Sequence, residues 1–173
     1  EHNFTPYLGE TWPKEHIDKT IEMFESDLTV EDASVDDLIS KLMDGKIVSV
    51  FNGSSESGRR ALGNRSILVD PRRPEMKDTI NEEVKHRVWF RPFAPSILWE
   101  DVPEWFDRTQ ESPYMQYVLR FKEDKCDLVP AVVHKDGTAR LQTVRKEDNE
   151  WYYNFLKKWK EASGVPIILN TSF

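Results

Sequence analysis

With 173 residues, 38% of them apolar and 12% aromatic, the chain is long enough to bury a core of its own and too apolar to stay disordered. No apolar run approaches the roughly 20 residues that span a bilayer, the start shows no signal-peptide pattern, and a lone Cys126 excludes an internal disulfide framework and fits a reducing cytoplasm. The net charge of −7 is uneven: residues 1–50 hold twelve Asp/Glu against four Lys/Arg, whereas residues 58–91 hold nine Lys/Arg against five Asp/Glu.

Residues 1–13 lack periodicity and read as a linker. From Lys14 to Glu25, Ile17, Ile21 and Phe24 fall at helical spacing. A second helix is expected after Ser34, its N-cap, with a stripe of Leu38, Ile39, Leu42 and Met43 and a stop at Gly45. "KIVSVFNG" reads as a buried strand, and "SILVD" as a short one after a loop with Gly53, Gly58 and Gly63 spaced five apart. "PEMKDTINEEVK" reads as a helix, "RVWFRPFAPSILW" as an extended but proline-interrupted stretch, and "VPEWF" as a helical turn. "YMQYVLRF" and "LVPAVVHKDGTARLQTV" are strand candidates, the second folded at Asp136-Gly137 into a hairpin. "EDNEWYYNFLKKWKEASG" is the strongest helix, with Trp151, Phe155, Leu156 and Trp159 on one side and Gly164 as its stop, and "VPIILN" is a final buried strand. The order describes a mixed α/β domain of six or seven strands.

The chemistry is cationic. His2, His16, His86 and His134 are scattered without metal-ligand spacing, Cys126 has no histidine near it in sequence, and neither a nucleophile elbow nor a P-loop occurs. Arg60, Arg65, Lys85, Arg87, Arg91 and Arg140 instead fall at the ends of predicted strands, near Asn64, Ser66, Thr138, Gln142 and Asn170-Thr171-Ser172. Guanidinium forks match phosphate geometry. Each arginine taken alone reads as a surface ion pair; the set, in small polar company, points to an anion site. If "HRVWF" is extended, the six-residue spacing of Lys85 and Arg91 puts both on one strand face.

Taken in order, "GRRALGNRSILVDPR", "INEEVKHRVWFRPFAPSIL", "SPYM", "PAVVHKDGTARLQTV" and "GVPIILNTSF" resemble the C-terminal domain of O-carbamoyltransferases of the NodU/CmcH/TobZ type, from about Leu38 to Phe173. The resemblance implies a YrdC-like fold, a twisted open mixed sheet with flanking helices, over 31–173, with 1–30 as linker and lead-in helix of a longer protein. It implies the formation of carbamoyl-adenylate from ATP and carbamoyl phosphate with release of pyrophosphate, Mg2+ accompanying ATP. A separate N-terminal Kae1-like domain would then pass the carbamoyl group to an acceptor hydroxyl. It assigns phosphate and ATP contacts to Arg60, to Lys85 and Arg91, and to Arg140 and Ser172. The departures are "GSSESGR" where the family resembles "GRMEFGP", and a stop at "NTSF" before the family's next asparagine. The other readings are threonylcarbamoyl-adenylate chemistry, a docking domain without chemistry, and a module binding duplex RNA; the pI of 5.2 argues against the last. Glu56 is expected to be structural, orienting Arg60 through an ion pair.

Overall fold

The computed structural model describes residues 4–173, so His2 lies outside it. Two helices come first, α1 (Lys14–Met23) and α2 (Val35–Met43). Ser34 caps α2 through a complete capping box with Asp37, which accounts for the sharp start read from the sequence. Strands β1 (Val48–Phe51) and β2 (Arg65–Val69) follow, separated by the long glycine-punctuated loop.

The sheet is open and mixed, in the order β1-β2-β7-β3-β6, where β3 is Ala94–Leu98, β6 is Gln142–Val144 and β7 is Ile167–Ser172. β7 lies at its centre, antiparallel to β2 and β3, while β3 and β6 run parallel. Ile167, Ile168, Leu169 and Asn170 are all buried, the continuous pattern of a strand covered on both faces. Helix α6 (Glu150–Ser163) packs Tyr152, Phe155, Leu156 and Trp159 into the core, and the Trp159 indole donates to the Ile167 carbonyl at 2.7 Å. The sequence stripe of α6 omitted Tyr152, which is wholly buried, and included Trp151, which is half-buried. Gly164 ends the helix at φ 79°, where a side chain would be strained.

Three expectations are corrected. The predicted helix after Pro74 is one α-helical turn, α3 (Glu75–Thr79), that widens into a π-helical turn over Ile80–Val84. The chain after it is not extended: the Lys85 amide closes on the Ile80 carbonyl, His86 takes a positive φ of 46°, and the Arg91 amide turns back to the Val88 carbonyl. Lys85 and Arg91 therefore share no strand face. The Asp136-Gly137 turn forms, but its first arm is not a strand. A 3-10 turn at Pro130–Val132 replaces it, and β5 (Thr138–Arg140) pairs instead with β4 (Val118–Arg120) in a separate two-stranded sheet. Pro130 has no N–H to give a ladder, so the arm fails there. Helix α4 (Val102–Trp105) is the expected helical turn, and α5 (Glu123–Cys126) a short one that ends at Cys126.

Residues 4–13 are also more than a free linker. The Ser57 amide donates to the Pro6 carbonyl, the Gly9 amide to the Ser55 carbonyl, and the Tyr7 hydroxyl to the Leu62 carbonyl at 3.0 Å. A Cβ on Gly9 would stand 1.8 Å from the Ser55 hydroxyl oxygen and 2.9 Å from the Ser55 carbonyl oxygen, so a larger residue would enter only by shifting Ser55. The segment thus braces the loop between β1 and β2.

Candidate functional site

The loop from Asn52 to Asn64 is organised by one carboxylate. Glu56 Oε1 accepts from the backbone amides of Leu62 at 2.7 Å, Asn64 at 2.9 Å and Arg65 at 3.2 Å. Three converging amides make a nest for negative charge, and the loop fills it with its own side chain. Glu56 is structural, as expected, but it makes no ion pair with Arg60 among the described residues. Gly63, at φ 116°, lies against Tyr152: a Cβ there would stand 2.4 Å from the ring. This close approach presses the second half of the loop onto α6.

Beneath the loop lies a buried polar network. The Asn170 amide on β7 donates to the Ala61 carbonyl, Ser96 Oγ and Gln142 Oε1, each near 3 Å, and the Gln142 amide donates to the Leu62 carbonyl at 3.0 Å. Ser96 and Gln142 face each other across β3 and β6 and share a 2.8 Å hydrogen bond. Three adjacent strands thus fix the height and direction of the "RALG" backbone. The sequence marked Gln142 and Asn170 as polar company for a ligand; the structure uses the amide nitrogens of both as the bed of the loop, and Asn170 also borders the space above it.

On that bed sits a small polar pocket of about 100 Å3, lined by Arg59, Arg60, Arg87, Arg140, Asn170 and Ser172, with apolar walls. Of the five residues assigned from sequence, Arg60, Arg140 and Ser172 line it together. Lys85 reaches its edge, where Nζ donates to the Ser172 carbonyl and lies 3.4 Å from Ser172 Oγ. Arg91 does not line the pocket; Arg87 stands there instead. Arg59 and Arg87 are thus additions to the five; Arg87 belonged to the cationic set read from the sequence, whereas Arg59 did not. The signal for Arg87 was local: histidine is among the residues that accept positive φ, and His86 does so, turning Arg87 inward.

The electrostatics are those of a site short of negative charge. None of Arg59, Arg60, Lys85, Arg87, Arg91 or Arg140 takes part in an ion pair among the described residues. Arg140 is half-buried and its Nε has no partner among the described residues. Burial, and then Arg60 nearby, lower its pKa from the ordinary arginine value. Burial followed by Arg91 does the same to Arg87, and burial followed by Arg87 to Lys85. Arginines held together against their own repulsion are stabilised by an anion, and their free forks suit phosphate or carboxylate. A metal ion is less well provided for: no group of three or more His, Cys, Asp or Glu is close enough together to hold one among the described residues. No helix among them is long and apolar enough to cross a membrane.

The profile of the family described as Carbamoyltransferase C-terminus matches residues 39–173. The chain belongs to that family. All five assigned residues and both additions fall inside the match. An uncharacterized protein of Methanocaldococcus jannaschii, MJ1058, is 40% identical over 176 residues, covering 97% of this chain and 28% of that protein. Nodulation protein NolNO of Sinorhizobium fredii is 48% identical over 151 residues, 83% of this chain and 22% of that protein. Nodulation protein U of the same species is 41% identical over 139 residues, 80% of this chain and 25% of that protein. The chain therefore spans about a quarter of the length of these curated relatives.

Proposed function

We propose that this carbamoyltransferase-family domain is the activating part of an O-carbamoyltransferase. It forms carbamoyl-adenylate from ATP and carbamoyl phosphate, for transfer to an acceptor hydroxyl elsewhere in a longer protein. The observation that carries the proposal is the pocket in which Arg59, Arg60, Arg87 and Arg140 meet around Ser172 without a carboxylate partner among the described residues.

In this reading the arginines hold phosphate groups, and Lys85, already at Ser172, adds a mobile charge at the rim. Atom balance requires water to release orthophosphate from carbamoyl phosphate, leaving carbamate. A carbamate oxygen then forms a bond to the α-phosphorus of ATP while the bond to pyrophosphate breaks. The negative charge that builds on the leaving pyrophosphate is met by fixed guanidinium groups, so catalysis is positioning and electrostatics with no protein nucleophile. Magnesium enters with ATP and is held mainly by its phosphates. Arg60, Arg87 and Arg140 are the residues that bind; Ser172 and Lys85 orient.

The test is calorimetric titration with Mg·ATP, with and without carbamoyl phosphate, followed by exchange of labelled pyrophosphate into ATP. The expected result is binding that Arg60→Ala weakens and exchange that depends on carbamoyl phosphate. Binding without exchange, also in the full-length protein, would favour a docking domain that has lost its chemistry. Tight binding of duplex RNA in place of ATP would move the domain to another class altogether.

A further inference from the structure

Asn81 lies inside the π-helical turn and has no exposed surface, although it is polar and outside the sheet network. Its oxygen accepts from Arg87 Nε at 2.7 Å. Its amide nitrogen donates to the carbonyls of Trp89 and Arg91, each at 3.1 Å. Its own carbonyl accepts from the Arg87 amide at 2.9 Å. One side chain therefore grips both an arginine of the pocket and the loop that follows it.

The consequences for Arg87 are directional. Its Nε is taken by Asn81 and its guanidinium sits 4.6 Å from the centre of the Phe93 ring, which leaves the two terminal nitrogens without protein partners among the described residues. Those are the nitrogens that form a bidentate fork. The loop it also holds, Val88-Trp89-Phe90, is an apolar tip, with all three side chains at least half exposed. Apart from the two carbonyl contacts, the backbone hydrogen bond found within the tip among the described residues is the turn from the Arg91 amide to the Val88 carbonyl.

We propose that Asn81 is the positioning residue of this anion site, coupling the direction of the Arg87 fork to the conformation of the Val88–Phe90 tip, so that filling the pocket with a pyrophosphate-like anion is felt at Trp89. The inference rests on the anion-site reading above. Chemistry selects asparagine at this position. An aspartate would still accept from Arg87 but would lose both donors to the tip and would cancel the charge the pocket needs. A glutamine would be one methylene too long for a wholly buried site.

The test uses inorganic pyrophosphate as the probe and the chain labelled with 5-fluorotryptophan, the Trp89 resonance being assigned by Trp89→Phe. Trp89 does not line the pocket, yet its resonance is expected to shift as pyrophosphate saturates the chain, and Arg87→Gln is expected to abolish that shift. Asn81→Ala and Asn81→Asp are expected to weaken pyrophosphate binding about tenfold, near the loss of one charged hydrogen bond. The double variant with Arg87→Gln should be no weaker than Arg87→Gln alone, because Asn81 acts through that arginine. Asn81→Ala carries a risk of misfolding, and the wild-type fluorine shift needs no change at Asn81. A Trp89 resonance that stays still at saturation, or additive losses in the double variant, would overturn the coupling while leaving the anion site standing. A wild-type chain that binds no pyrophosphate would overturn the anion site and the coupling with it.

Discussion

Two groups of arginines lie within eighteen residues of sequence and behave oppositely. Arg65, Arg72 and Arg73 are spent on the fold. Arg65 stacks on Phe51 at 3.5 Å and donates to the carbonyls of Asn52, Gly53 and Asn64. Arg72 grips the buried Asp70 through two nitrogens, at 2.9 and 2.8 Å, and reaches the Ser163 carbonyl. Arg73 lies 3.7 Å from the same carboxylate and caps the Met43 carbonyl at the end of α2. Arg59 and Arg60, a few residues earlier, have no such partners among the described residues and face a pocket shared with Arg87 and Arg140. The lesson is that an arginine's role is set by what has been buried opposite it. Asp70 is ion-paired at one end of β2, and at the other end Glu56 is held by backbone amides and forms no ion pair with Arg59 or Arg60 among the described residues.

That contrast is open to attack from both sides. The largest effect is expected at the paired end: Asp70→Ala leaves a partly buried Arg72 without its partner and should cost about 3 kcal/mol in urea unfolding. Pyrophosphate affinity should hardly change, and a parallel loss of affinity would show that the two arginine groups are not separate. At the free end the pattern reverses. Arg140→Ala should weaken pyrophosphate about 10- to 100-fold by calorimetry, the worth of one charged hydrogen bond, with a melting temperature that stays level or rises. A fall in stability comparable to Asp70→Ala would make Arg140 structural.

The pH dependence sharpens the comparison at Lys85. Burial, with Arg87 beside it, holds this ammonium below the ordinary 10.5. The unfolded chain keeps the proton at pH values where the folded chain has released it, so stability rises with pH between the depressed pKa and 10.5. A bound phosphate favours the charged form, so anion affinity should fall as pH rises through that depressed pKa. Titration of pyrophosphate across the alkaline range should show this fall, and Lys85→Gln should flatten it. An unchanged profile in Lys85→Gln would remove the lysine from the site. The smallest effect belongs to Cys126→Ser. Burial, with Asp127 nearby, raises this thiol's pKa, and Cys126 lines none of the pockets described above, so pyrophosphate exchange should be unaffected. A large loss would bring nucleophilic catalysis back into consideration.

Where the chemistry is local, sequence was a good guide. The Ser34 capping box spans four consecutive residues, the Gly164 stop depends on one dihedral angle, and the stripe of α6 follows from helical spacing. The central strand β7 was legible because "VPIIL" is apolar without alternation, as a strand buried on both faces must be. The concentration of cations in 58–91 was also visible as charge, and so was the prospect of an anion site. The first arm of the expected hairpin failed because its apolar residues fit a buried 3-10 turn as well as a strand, and Pro130 decided between them.

Sequence by itself determined most of the helices and strands, the caps at Ser34 and Gly164, and that positive charge gathers near the start of β2 and after α3. Only the tertiary structure decided which of those charges remain free. The Asn170 and Gln142 amides reach carbonyls 109 and 80 residues away, and the Ser172 carbonyl that receives Lys85 is 87 residues from it. A π-helical turn and one positive φ exchanged Arg87 for Arg91 in the pocket. The physical reason is that secondary structure is set by dihedral preference and periodic burial within a few residues, whereas the pairing of a charge depends on a partner that arrives from a distant strand or loop.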